Sequence, residues 1–247
     1  MCAQATITIG TSGWSYRHWR GAFYPAGLAQ SDWLPFYASQ FGSVEINSTF
    51  YRLPAHGTAT GWALQTPDRF VFAVKASRYI THLKKLSDCG EAVARLIDVA
   101  DALGDKLGPL LFQLPPRWHI NIARLQTFLT ALPARYRYVF EFRDPSWWTQ
   151  DTYALLREFR ASLCQYSLAD ELSPEVVTCD FIYVRMHGPN PGYAGSYGDV
   201  VLREWAHKLQ DWQSAGLSSF VYFDNDAGAC ATRDAHNLCA LCDASAR

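Results

Sequence analysis

The sequence predicts a (β/α)8 barrel, one domain over residues 1–247. Three observations carry this: eight short apolar segments bounded by turn residues, amphipathic helical patterns between them, and a length of 247 residues. Strands alternating with helices imply parallel strands joined by right-handed crossovers. Eight such units, spaced about thirty residues apart, match the ~250 residues usual for this barrel. The rival is an open doubly wound sheet, whose first βα turn carries G-x-G-x-x-G for a dinucleotide. Here that turn reads "TSGWSYRHW".

The first strand is "ITIGTSGW" (7–14). A helix over 31–41 leads to "SVEINSTF" (43–50), and one over 58–66 leads to "RFVFAVKAS" (69–77). In "CGEAVARLIDVADALGDK", Val93, Leu96, Ile97, Ala100 and Leu103 form one stripe, with Glu91, Arg95, Asp98 and Asp101 away from it. "LGPLLFQLP" (107–115) is the fourth strand, followed by the helix "NIARLQTFLTALP", capped by Asn121 and stopped at Pro133. "RYVFEFR" (137–143), the helix in "TQDTYALLREFR" and "ASLCQYS" (161–167) continue the alternation. The connection 168–180 is too short for a full helix, and "FIYVRMHG" (181–188) is the seventh strand. "GDVVLREWAHKLQDWQSAG" closes on Gly216 as a C′ residue, and "SSFVYFDND" (218–226) precedes a terminal helix.

Composition narrows the function classes. With 49% hydrophobic and 18% charged residues the chain is globular. Its net charge of −1 provides no global field for nucleic acid. No apolar run approaches the roughly 20 residues needed to span a bilayer. "MCAQATITIG" lacks the basic start and apolar stretch of a signal peptide, so a cytoplasmic protein with no membrane partner is expected. Seven cysteines, from Cys2 to Cys242, form no evident disulfide framework. A metal or redox site would use Cys239-x-x-Cys242 with Cys230. On an amphipathic helix that pair reads as packing, because free cysteine acts as a small hydrophobe.

The functional face of such a barrel lies at the strand C-termini. Polar residues gather there: Thr11, Ser12, Glu45, Asn47, Thr49, Lys75, Ser77, Gln113, Glu141, Arg143, Gln165, Arg185, His187, Asp224 and Asn225. Period two pairs Glu45 with Asn47, Lys75 with Ser77, Glu141 with Arg143, and Arg185 with His187 on shared faces. Burying such groups is costly unless they are paired or used. The catalytic candidates are therefore Glu45 and Glu141 as carboxylates, Lys75 favouring the ionised form of its neighbour, and His187 moving a proton. Candidates for substrate binding are Trp14, Asn47, Tyr51, Gln113, Arg143, Trp147, Arg185 and Asn225. The competing reading is a charge-balanced ring that closes the barrel end, which bidentate ion pairs between the arginines and both glutamates would reveal.

Trp14, Tyr51 and Trp147 lie closest to strand ends, where flat rings stack on sugars or bases; Trp19 and Trp148 read as loop packing. The loop "HGPNPGYAGSYGD" (187–199) suits an anion cradle or a lid equally. No H-E-x-x-H or tight His/Asp cluster occurs, so no metal site is assigned, and no cofactor is read from the sequence. Arg17, His18, Arg20, Arg52, Arg78, His82, Lys84 and Lys85 form either a solvated rim or, beside Trp14, Tyr16 and Tyr51, a surface for RNA or single-stranded DNA.

The strings "GTSGWSYRHWRGAFYP", "SVEINSTFYRLP", "FVFAVKASRYITHLKKL", "KLGPLLFQLPPRW", "FEFRDPSWW", "YVRMHGP" and "VYFDNDAGACATRDA" together resemble the YecE-like family, domain of unknown function 72. The resemblance runs from about residue 9 to the last helix and implies a (β/α)8 barrel, with no activity, substrate or cofactor to carry over. Its motifs fall on Glu45, Asn47, Lys75, Gln113, Glu141, Arg143, Arg185, His187 and Asn225. The chain departs from it at Asp144, where the family more often has histidine, and at Asp224, where asparagine is common. The expected function is hydrolysis-like acid–base chemistry on a small polar, sugar-like or phosphorylated, nucleotide-derived substrate. The alternative is an RNA or single-stranded DNA binding module. The oligomeric state is left open.

Overall fold

The computed structural model describes residues 5–244; Cys2 and the start of the N-terminal segment lie outside them. In chain order the elements are β1 (Ile7–Ser12), α1 (Trp33–Gln40), β2 (Ser43–Ile46), α2 (His56–Leu64), β3 (Val71–Lys75), α3 (Gly90–Asp101), β4 (Leu107–Gln113) and α4 (Ile122–Ala131). They continue with β5 (Tyr138–Glu141), α5 (Gln150–Glu158), β6 (Ser162–Leu168), β7 (Glu171–Leu172), β8 (Phe181–Met186), α6 (Asp199–Ser214), β9 (Ser218–Phe223) and α7 (Cys230–Ala244). The strand order β5-β4-β3-β2-β1-β9-β8-β6, with β5 also paired to β6, is the circular order of a (β/α)8 barrel. The two-residue β7 is extra and pairs antiparallel with β6.

By compactness the described chain divides into residues 5–45, 165–175 and 181–244 in one unit and 46–164 and 176–180 in the other. In the first, β1 pairs in parallel with β2 and β9, and β9 with β8. Helices α6 and α7 pack on each other and on β1 and β9. The apolar stripe Leu202, Trp205, Ala206 and Leu209, at helical spacing, is what α6 buries. Gly216 ends that helix in the left-handed region at φ +83, as its place in the sequence predicts. The Tyr37 hydroxyl ties α1 to two strands: it accepts from the Thr11 backbone N–H at 2.9 Å and donates to the Ser43 carbonyl at 3.0 Å.

In the second unit β3, β4, β5 and the start of β6 pair in parallel. Phe112 and Phe140 stack at 5.3 Å, and Phe128 of α4 meets Phe112 edge-on at 5.2 Å. Trp147 is fully buried, stacks on Phe142 at 4.8 Å and donates its indole N–H to the Trp118 carbonyl at 2.6 Å. That corrects its assignment as a substrate contact: both its faces and its one donor are spent on packing.

Seven of the eight expected strands end before their expected last residue, and in two of them the local reason is plain. The segment 43–50 leaves the sheet after Ile46, because Asn47 turns helical (φ −84, ψ −25) into a 3₁₀ turn over Ser48–Phe50. The Thr49 hydroxyl holds that turn, with Oγ1 2.8 Å from the Ile46 carbonyl and 2.6 Å from the Lys75 carbonyl. Asn47 thus does not continue the face of Glu45. Segment 69–77 ends at Lys75, and Ser77 Oγ accepts from the Tyr79 N–H at 3.2 Å as a π-helical turn begins over Tyr79–Leu83.

Asn121 caps α4 as expected, its Oδ1 accepting from the Arg124 N–H at 3.0 Å. Replacing it with alanine leaves that N–H without its partner. Asn121→Ala is expected to lower stability by about 1 kcal/mol, and Asn121→Asp by much less, in urea unfolding.

Candidate functional site

In the first unit, register and side-chain alternation put Ser12, Glu45, Tyr183, Arg185, Tyr222 and Asp224 on one face. Ser12 is opposite Glu45, and Arg185 is opposite Tyr222. The guanidinium of Arg185 is 0% exposed and makes a bidentate ion pair with Glu45, Nε to Oε2 at 3.0 Å and Nη2 to Oε1 at 2.8 Å. Glu45 Oε1 also accepts from the Ser12 hydroxyl, and Oε2 from the Tyr183 hydroxyl at 2.7 Å. Four donors thus fill the roughly four lone-pair sites of a carboxylate. The burial and the Glu45 charge raise the pKa of the Tyr183 phenol well above its usual value, so it stays a donor.

This corrects two assignments. Glu45 has no lone pair left for a substrate proton, and Arg185 is held by Glu45 and by Asp224 Oδ2 at 3.1 Å. His187 is equally engaged. Its Nε2 lies 3.3 Å from Arg185 Nη1 and its Nδ1 lies 3.0 Å from Asp224 Oδ2. A guanidinium can only donate, so Nε2 accepts and Nδ1–H donates to Asp224. The fully buried imidazole is thus held at both ring nitrogens within this network.

Asn225 is tied into the surrounding loops through its amide nitrogen, while its Oδ1 is buried with no partner among the described residues. Its Nδ2 donates to the Gly195 carbonyl at 2.8 Å and to Asp234 Oδ2 at 2.7 Å, and that same oxygen accepts from the Tyr197 N–H at 3.0 Å. The glycine-rich loop is thus pinned to α7 through a buried carboxylate that sequence reasoning missed. The available signal was an acid on the apolar face of α7, in line with Ala231, Ala235 and Leu238. Gly188 begins the loop at φ +105, where a Cβ would lie 2.6 Å from the Ala194 carbonyl oxygen. Trp14 is buried, its carbonyl accepting from the Tyr24 hydroxyl at 2.5 Å. His18 and Trp19 both bind the Asp226 carbonyl at 2.9 Å, and Arg20 lies over Trp33, so these residues consolidate loops.

In the second unit, Lys75 pairs in register with Leu111, and Gln113 with Glu141. Alternation then places Lys75, Gln113, Glu141 and Arg143 on one face at the C-terminal ends of β3, β4 and β5. Glu141 is fully buried and accepts from Arg143 Nε at Oε1. Its Oε2 lies 3.9 Å from the Cys164 thiol. Phe140 pairs with Leu163, so the next position of β6 is Cys164, which takes the place expected for Gln165. Lys75 is 7% exposed, and its ammonium sits 4.5 Å from the ring centre of Phe50.

His82, read from sequence as part of a basic rim, belongs to this cluster. Its ring meets Phe50 edge-on at 5.0 Å, and Nδ1 lies 2.9 Å from the Thr81 hydroxyl. Burial first, then the Lys75 and Arg78 charges, lower its pKa below the usual imidazole value, against a smaller pull from Glu141. Both effects favour the uncharged ring. Asn47 Oδ1 is buried with no partner among the described residues, an arrangement that costs about 1–3 kcal/mol until a donor arrives. Tyr51 is 70% exposed.

Other possibilities find less support. Burial raises the pKa of the Cys239 thiol to about 12 and that of Cys242 to about 11, away from reactive thiolates. Among the described residues no group of three or more His, Cys, Asp or Glu is placed to hold a metal ion. No helix among them is long and apolar enough to cross a membrane.

Residues 8–247 match the family model described as "Protein of unknown function DUF72". The chain belongs to the DUF72 family. The UPF0759 protein YunF of Bacillus subtilis is 26% identical over 274 residues, covering 96% of this chain and 95% of that one. UPF0759 protein YecE of Escherichia coli K12 is 31% identical over 148 residues, or 58% of this chain and 51% of YecE. A crystal structure of a DUF72 family protein from Thermotoga maritima superposes with a TM-score of 0.87 at 25% identity, covering 96% of this chain and 99% of that one. A methyltransferase from Methanosarcina mazei shares the fold at 9% identity and TM-score 0.59, covering 99% and 95% of the two chains.

Two measurements check these networks. Glu45→Gln removes the main counter-charge of a buried guanidinium and is expected to cost about 3–5 kcal/mol in denaturant unfolding. By NMR, His82 should titrate below the ordinary imidazole value of about 6.5, and Lys75→Met should move its midpoint upward by removing a cation.

Proposed function

We propose that the chain is an enzyme that performs hydrolysis-like acid–base chemistry on a small phosphorylated, nucleotide-derived or sugar-like substrate. The site is the shared face at the C-terminal ends of β3, β4 and β5. The observation that carries this reading is a near-buried lysine, Lys75, on one strand face with Gln113, Glu141 and Arg143, beside an imidazole kept neutral.

Each group then has a part. Lys75 and Arg143 attract an anionic group, Arg143 being aimed by its bond to Glu141. Asn47 Oδ1 awaits a donor from the ligand, and Gln113 offers both a donor and an acceptor. In this reading the Thr81 hydroxyl turns its proton to the Ser77 carbonyl at 3.4 Å and accepts from His82 Nδ1–H at 2.9 Å, which leaves Nε2 as the basic nitrogen. A neutral imidazole at pH 7 suits a general base that takes a proton from water. In this reading Lys75 is the charged group at the site, Glu141 acts by holding Arg143, and His82 rather than His187 is the base. The cytoplasmic location expected from the sequence is part of this proposal.

Calorimetric titration with inorganic phosphate and with a nucleoside monophosphate tests this. The folded protein should show saturable binding, and Lys75→Met should weaken it about tenfold or more, the worth of a charged hydrogen bond at ~1.5–3 kcal/mol. No saturable binding of either ligand would overturn the reading.

A further inference from the structure

Resting on the anion-site reading, we infer that the substrate class is single-stranded nucleic acid, whose chain follows the loops after β2 and β3. Within those loops, residues 47–56 and 76–88, the charged side chains are Arg52, Arg78, Lys84 and Lys85, with Asp88 alone opposing them. The chain as a whole has 22 Lys and Arg against 23 Asp and Glu. This local excess is therefore a property of these two loops.

Large rings and apolar groups lie exposed on the same loops. Tyr51 is 70%, Tyr79 46% and Leu83 65% exposed. The Lys84 ammonium sits 6.0 Å from the centre of the Tyr79 ring, which puts a phosphate-binding cation beside a stacking platform. Phe50 joins this surface to the buried site. One of its neighbours is the Lys75 ammonium at 4.5 Å, and the others are Tyr51 and His82, each edge-on at 5.0 Å. A chain with one phosphate at Lys75 would thus have its next bases over Tyr51 and its next phosphates near Arg52, Arg78 and Lys84.

A free phosphorylated metabolite would use Lys75 and Arg143 and leave the exposed tyrosines and four outer cations without a role. An acidic peptide would satisfy the cations and leave the rings unstacked. Bases joined by phosphates use both, and stacking tolerates any sequence because every base has a π-face.

The test is fluorescence anisotropy with labelled oligo-dT and oligo-rU of about twelve nucleotides, a length within the range of common single-strand sites. With four phosphate contacts, affinity should fall roughly 50-fold between about 50 and 200 mM salt. Tyr51→Ala and Tyr79→Ala should each weaken binding about fivefold or more, Tyr51→Phe should restore it, and Tyr79→Ala should leave phosphate binding unchanged. A preference between the two oligonucleotides reports the sugar. A flat salt response, or unchanged binding in both alanine variants, would overturn the inference. If phosphate binds and is lost in Lys75→Met while neither oligonucleotide binds, the anion site stands and this inference falls. Full-strength oligonucleotide binding in Lys75→Met, or adsorption to anionic phospholipid vesicles alone, would overturn it as well.

Discussion

A guanidinium cannot lose its proton in a protein, so a fully buried one must be surrounded by acceptors wherever it sits. Arg185 is that group here, and much of the first unit is arranged around it. Glu45 on β2 grips it with both oxygens, Asp224 after β9 takes a third contact, and Ser12 and Tyr183 complete the carboxylate. His187 is drawn into the same arrangement and acquires its tautomer from it. Such a network specifies strand register. Moving β2 by one residue against β1 would turn Glu45 to the opposite face and leave the charge of Arg185 without its main partner.

The second unit treats its charges differently. Lys75 rests against an aromatic face and His82 is held neutral by burial and by nearby cations. Glu141 is shared between Arg143 and a thiol. Positive groups outnumber the one carboxylate, and a buried amide oxygen on Asn47 has no donor among the described residues. An excess of one sign and an unsatisfied polar atom each cost folding free energy, and both support the proposed site.

Family membership and fold are secure, and neither names a reaction. DUF72 relatives share the barrel across most of this chain, and barrels of this kind host many unrelated chemistries. A reaction is set by particular side chains rather than by the fold, and the proposed ones here are Lys75, Gln113, Glu141 and Arg143 on their shared face.

What the sequence determined by itself was everything governed by neighbours along the chain. Eight strands, the helices between them, the Asn121 cap and the Gly216 terminus were legible because each depends on a few consecutive residues and a short period. So was the concentration of polar groups at strand ends. Only the tertiary structure decided what those groups do, because each partner comes from a distant strand. Glu45 meets Arg185 across 140 positions, and Asp234 meets Asn225 from a helix whose pattern advertised only packing. Cys164 and His82 were passed over for the same reason. Their significance lies in facing Glu141, Phe50 and Lys75, and a sequence read one segment at a time contains the residues of that encounter without the encounter itself.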